Sequence, residues 1–186
     1  ASDVYKRQIS KSGVSMNINT TYTKIITGED LMETAQHGST LYPFQFYYED
    51  LSVFDFNCIE WHWHTELEFI YIESGTVTLW IGEDQFHLTE GNGIFINTKV
   101  LHRLYSPSKA LIPNFVFMPS FIAPCDSLIY QKYILPIISS SLPFLVFHKK
   151  VCWQAKVLSI MRQIISAQDS VLSKELLTSS LLQNLW

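Results

Sequence analysis

The chain has 186 residues, 47% of them hydrophobic and 14% aromatic, with only 16% charged and a formal net charge of −4. That balance fits one core-forming domain, or one domain with a helical appendage, and excludes a disordered tail. Adjacent basic residues occur only at Lys6-Arg7 and Lys149-Lys150, so the chain lacks the basic footprint that grips a phosphate backbone.

Cys58, Cys125 and Cys152 are scattered and odd in number, which argues against a disulfide scaffold or structural zinc and fits a reducing compartment. Every long apolar run is broken by charge, polar residues or proline, so no membrane span is expected. Ala1 to Gln8 has no signal-peptide layout and the chain starts without Met. The expected address is the cytoplasm.

Residues 1–26 read as a polar, β-leaning N-terminal arm. Thr27-Gly28-Glu29-Asp30 reads as a helix start and His37-Gly38 as its stop, which predicts a short helix over about 28–37. His37 is then a helix-end residue with no chemistry assigned. From Pro43 the period changes to two. Residues 44–48, 54–64, 67–73, 76–81, 85–88, 94–96, 101–105 and 112–118 read as successive strands broken by tight turns, the pattern of an antiparallel barrel or sandwich.

After Pro119 the pattern becomes helical around 127–135, with a strand-like Phe144-Leu145-Val146-Phe147. Trp153, Val157, Ile160, Met161 and Ile164 recur at helical spacing over about 150–167. Ser173 can cap a last helix carrying Leu177, Leu181, Leu182 and Leu185. That helix runs into Trp186 without a stop, which reads as a truncated pattern. These rows serve either packing against the barrel or a dimer interface of Trp153, Val157, Ile160, Met161, Ile164, Leu177, Leu181 and Leu185.

The chemistry-bearing segment is Trp61-His62-Trp63-His64-Thr65-Glu66-Leu67-Glu68. In a strand His62 and His64 share a face, while Trp61 and Trp63 point the other way and need a cover. A turn at Thr65-Glu66 brings Glu68 beside the imidazoles, and His102 arrives from a later strand. Such a cluster could hold a divalent metal, line an effector pocket, or satisfy itself as a hydrogen-bonded core. Tyr71 and Trp80 are strand aromatics that join the expected pocket.

This arrangement resembles the cupin signature. His62, His64, Glu68 and Gly75 match its first motif, and Gly91 and His102 its second. Phe56 replaces the glycine that opens the first, and Asn97 and Lys99 replace a proline and glycine of the second. The segments 37–44, 61–68 and 91–97, with Lys132 to Pro136 and the two last helices, look like the sensor domain of AraC-type regulators. The resemblance implies a mainly β fold: a jelly-roll-like cupin barrel over 27–118, then a helical dimerisation region over 119–186. It also implies a homodimer, a small-molecule effector (a sugar is one candidate), no catalytic residue and no obligatory cofactor. DNA would be read only by a C-terminal domain outside these residues. The competing reading is a metal-dependent cupin enzyme, an isomerase or dioxygenase.

Overall fold

The computed structural model describes residues 24–186, so the arm expected over 1–26 lies almost wholly outside the described residues. Two antiparallel sheets face each other. The first holds β1 (Phe44–Asp50), β8 (Leu111–Phe117), β3 (Leu67–Tyr71), β6 (Gly93–Ile96) and β9 (Phe144–Phe147), in that order. The second holds β2 (Cys58–His62), β7 (His102–Tyr105), β4 (Thr76–Ile81) and β5 (Asp84–Thr89). This is the mainly β, antiparallel architecture expected from the period-two pattern, in the cupin-like form that the resemblance implies.

Alternation sorts each strand into two environments. In β4, Val77, Leu79 and Ile81 are buried between the sheets with Leu51, Ile59, Ile70, Leu104 and Ile112. The outer face of the five-stranded sheet is apolar too, because helices cover it. Phe69 stacks on Phe115 at 5.4 Å and on Phe147 at 6.2 Å, and meets Phe95 at 5.1 Å. On this aromatic row lie α2 (Cys152–Ala167) and α3 (Lys174–Leu185), through Leu158, Met161, Ile164 and Leu182. Each fully buried side chain of this size stabilises by roughly 1.5–3 kcal/mol.

The stretch after β8 is helical but irregular. Tyr130–Ile134 forms a π-helical turn that runs directly into α1 (Leu135–Ile138). Pro136 therefore sits inside a continuous helical run, where its missing amide removes a hydrogen bond from the ladder. β9 then returns to the barrel and pairs with β6, Gly93 opposite Phe147. The sheet therefore takes in a strand from beyond residue 118. Asn97 fastens this return, its amide donating to the Ile137 and Leu142 carbonyls at 3.0 and 2.9 Å.

The helix expected over 28–37 does not form. Thr27 pairs antiparallel with Glu33, and Met32 pairs parallel with Trp63. The Asp30 carboxylate accepts from the Met32 amide at 3.1 Å, and Leu31 has a left-handed φ of 66°. The residues that read as a capping box instead make a tight turn, since Asp satisfies an amide two residues on. A ten-residue helix carries a costly nucleus. Docking on Trp63 supplies backbone bonds without it: Trp63 N donates to Leu31 O at 3.1 Å and Glu33 N to Trp63 O at 2.9 Å.

Candidate ligand site

Four side chains converge at one end of the space between the sheets. A bulge in β2 brings this about. Ile59 stands opposite Leu104 and His62 opposite His102, so β2 spends one residue more than β7 over the same span. The extra residue reverses the alternation, and both Ile59 and His62 face inward. His64 follows two residues on and shares that face. β3 runs back from the turn at 65–66 and carries Glu68 opposite Ile96 on one side and Val116 on the other. His62, His64, Glu68 and His102 are all buried.

The Glu68 Oε2 atom is the hub. His64 Nε2 lies 3.2 Å from it and His102 Nε2 3.1 Å. The His62 and His102 rings are 4.0 Å apart between centroids, and His64 meets His102 edge-on at 5.4 Å. On the far side of each ring, Nδ1 faces a backbone carbonyl: His62 to Glu60 O at 2.9 Å, His64 to Glu66 O at 3.2 Å, His102 to Val100 O at 2.9 Å. A carbonyl can only accept, so Nδ1 carries the hydrogen in all three rings. The three Nε2 atoms are turned toward the cluster.

Protonation follows from this geometry. Burial, reinforced by the neighbouring His102, holds His62 well below the ordinary histidine range, so His62 is neutral with a bare Nε2. Burial opposes charge on His102 too, but the Glu68 carboxylate beside it raises its pKa overall. Glu68 is itself held well below the usual carboxylate range: burial pushes it up, and His102 and His64 outweigh that. The His102 Nε2 is nevertheless buried without an aligned hydrogen bond. One carboxylate among three inward nitrogens needs a positive charge in its midst, which a proton or a cation can supply.

The donor set fits a divalent transition metal. Ligand atoms of His62, His64 and His102 lie within 4.8 Å of one another, and the Glu68 oxygen sits against two of them. The Nδ1–H to carbonyl bonds are the outer contacts that fix metal-binding imidazoles. The replaced motif glycines do not spoil this frame. Phe56 has φ 56° and Lys99 φ 60°, the left-handed conformation that glycine favours. Both positions keep the glycine-type backbone with a different side chain.

Two expected pocket residues lie elsewhere. Tyr71 is an odd number of residues from Glu68 on β3, so it faces outward and packs with the aromatic row under the helices. Trp80 alternates with the inward Leu79 and Ile81, and lies on the outer surface with the Arg103 guanidinium 5.0 Å over its ring. Three other residues join the cluster instead. His37 is buried, its Nδ1 2.8 Å from Tyr47 Oη, its Nε2 3.4 Å from Glu33 Oε2, and its ring edge-on to His64 at 5.5 Å. The segment carrying Glu33 and His37 also covers Trp63, whose indole N–H donates to Asp30 O at 2.8 Å. The inward direction of Glu33 is set by docking of the 31–33 run on Trp63, which a helix over 28–37 does not provide.

Among the expected interface residues, Met161 and Ile164 are fully buried in the chain's own core and are unavailable to a partner. Trp153 and Leu177 are exposed, while Val157, Ile160, Leu181 and Leu185 are half-buried along the same helices. No helix among the described residues is long and apolar enough to cross a membrane.

The paired sheets and the inward His–Glu cluster define a cupin-like barrel. Residues 45–186 match the AraC-like ligand binding domain, and the chain belongs to that family. It is 24% identical over 143 residues to the uncharacterized HTH-type transcriptional regulator YdeC of Bacillus subtilis, covering 75% of this chain and 48% of that protein. The chain thus spans about half the length of the curated relative it matches. Among solved structures it is similar to protein NMB1881 of Neisseria meningitidis, at 18% identity and TM-score 0.36, covering 41% of this chain and 75% of that one. A cupin-2 domain protein of Shewanella frigidimarina gives 20% identity and TM-score 0.35, covering 44% and 81% respectively.

Proposed function

We propose that this chain is the effector-sensing and dimerisation module of an AraC-family transcription regulator, working in the cytoplasm as a homodimer. The effector is a small molecule held by His62, His64, Glu68 and His102, and sugars are the first class to screen. DNA is contacted by another domain of a longer protein, since this chain carries a net charge of −4 and no basic stripe. The dimer face would use Trp153, Leu177 and the half-buried Val157, Ile160, Leu181 and Leu185. The working division is a barrel over 27–118 completed by β9, with the helices of the 119–186 region packed outside it.

The observation that most supports this reading is the cluster itself: a buried carboxylate and three inward imidazole nitrogens gathered at one end of the barrel beneath the 24–37 segment. Calorimetry of the 186-residue chain against a panel of sugars and small metabolites tests it. A binder that loses at least tenfold in affinity on His64→Gln supports the assignment. A binder indifferent to both His64→Gln and His62→Gln counts against it.

A second reading, a metal-dependent cupin enzyme, is favoured by the three Nδ1–H to carbonyl bonds, which leave Nε2 free for a metal. His62, His64 and His102 would hold the ion through Nε2, with the Glu68 carboxylate. A divalent ion there would supply Lewis-acid polarisation of a substrate oxygen. Metal analysis of protein purified without a His-tag separates the readings. Stoichiometric metal with turnover of a bound substrate supports the enzyme. Protein that neither retains metal nor gains thermal stability from any divalent ion contradicts it.

A further inference from the structure

We propose that Glu33, His37 and Tyr47 are a second tier of this site, serving to position its ligands and to tighten its hold on a divalent transition-metal ion. This rests on reading the His62–His64–Glu68–His102 cluster as a ligand-holding site. The strand-like run 31–33 docks on Trp63, the residue between His62 and His64. Because Met32 pairs with the outward Trp63, Glu33 comes next to the inward face that bears the two histidines. Its side chain is only 3% exposed, and its charge acts on both His62 and His102.

His37 links this carboxylate to the barrel wall. It lies between Glu33 Oε2 and Tyr47 Oη, from the inner face of β1, and its ring rests edge-on against His64. The His37 Nε2 is buried without a hydrogen-bond partner among the described residues. Four imidazoles and two carboxylates therefore crowd one end of the barrel, where a protein core ordinarily carries apolar side chains. A buried carboxylate beside neutral imidazole nitrogens attracts a cation strongly, because the low dielectric that penalises the lone charge also strengthens its pairing. Glu33 thus adds negative charge from the run docked on Trp63, and His37 holds the His64 ring in the orientation its Nε2 needs. These are the tasks that outer residues perform in metal sites, where their loss typically costs about 10–100-fold in affinity.

The test uses Co²⁺ added to the untagged 186-residue chain, read by calorimetry, by the ligand-field absorption of the ion and by amide exchange over residues 24–37. Glu33→Gln keeps shape and removes charge, and His37→Gln removes the ring; Glu33→Asp is the conservative rescue, and His87→Gln is a remote control. The wild-type chain should bind one Co²⁺, with slower exchange at 31–37. Glu33→Gln and His37→Gln should each weaken binding about tenfold and alter the absorption spectrum, with Glu33→Asp recovering part of the loss. Should Glu33→Gln fail to fold, by circular dichroism, His37→Gln and the exchange data still decide. Variants that bind with wild-type affinity and spectrum overturn the proposal while leaving the four-residue site intact. A wild-type chain that takes up no Co²⁺, or that binds it undiminished after His102→Gln, overturns the cation premise as well.

Discussion

Met161→Ala separates the two roles that an apolar helix row can play. Met161 is fully buried and packs with the phenylalanine row of the outer sheet face. Its methyl end lies 3.2 Å from where a Cβ on Gly93 would stand. The rings around it are stacked across strands and can close little of the gap, so truncation should cost about 3 kcal/mol within the 2–5 kcal/mol span for such changes. For a chain of this size that corresponds to a fall in Tm of about 6–12 °C. Trp153→Ala is the counterpart. Its indole is 52% exposed and touches Phe147 edge-on at 6.3 Å, so it should cost about 1 kcal/mol of monomer stability at most. If the exposed helix face is the dimer interface, Trp153→Ala should instead weaken self-association by tenfold or more. Urea titrations at two protein concentrations, paired with sedimentation equilibrium, read both quantities. An unchanged urea midpoint for Met161→Ala, accompanied by weaker association, would refute the assignment of Met161 to the core.

Other consequences follow from single positions. Phe56 is 88% exposed with φ 56°; the left-handed penalty of about 1–2 kcal/mol exceeds the roughly 0.5–1 kcal/mol entropy cost of glycine. Phe56→Gly should therefore raise Tm by a degree or more, and a lower Tm would contradict that backbone conformation. Gly93→Ala places a Cβ 2.9 Å from Ile70 O and 3.0 Å from Leu158 Cδ2, and should destabilise by about 1–3 kcal/mol in urea titration, whereas an unchanged midpoint would mean that α2 sits farther from β6. Asp50 has a pKa below its ordinary value near 3.8: burial pushes it up, but the Ser52 hydroxyl and amide and Lys109 outweigh it. A depressed carboxylate stabilises the fold above its unfolded pKa and loses that contribution as pH falls through the folded pKa. Asp50→Ala should accordingly cost about 1 kcal/mol at pH 7, with the gap from wild type closing below about pH 4; a gap that persists in acid would contradict this.

Much of the barrel was legible because its strands alternate cleanly and its turns carry Gly75, Gly82 and Gly91. His62 and His64 were legible for the same reason, since period two puts them on one face, whereas Glu68 meets them from the facing sheet rather than across a hairpin, because β2 and β3 belong to different sheets. Parity was also available to exclude Tyr71, three residues from Glu68, and Trp80, between Leu79 and Ile81; aromatic character alone misplaced them. The bulge between Ile59 and His62 left no mark in the pattern, because one extra residue in a strand changes no residue type. Glu33 and His37 were hidden for a different reason. Asp30 can cap a helix or close a turn with the same carboxylate, and only tertiary docking on Trp63 decides between them. Ser173 shows a similar limit: it precedes α3 as expected, yet its hydroxyl meets Ser170 Oγ at 2.9 Å rather than capping the helix.

The state of the three ring nitrogens bears most directly on whether the cluster is built to hold a ligand. Long-range ¹H–¹⁵N correlation of the histidine rings reads it, with exposed His87 and His148 as internal references and Zn²⁺ as the probe. Nδ1 should carry hydrogen in His62, His64 and His102, and saturating Zn²⁺ should move their three Nε2 resonances together while His87 and His148 stay put. Nδ1 atoms found bare, or Nε2 resonances of the buried rings that do not respond while the exposed rings do, would contradict the account.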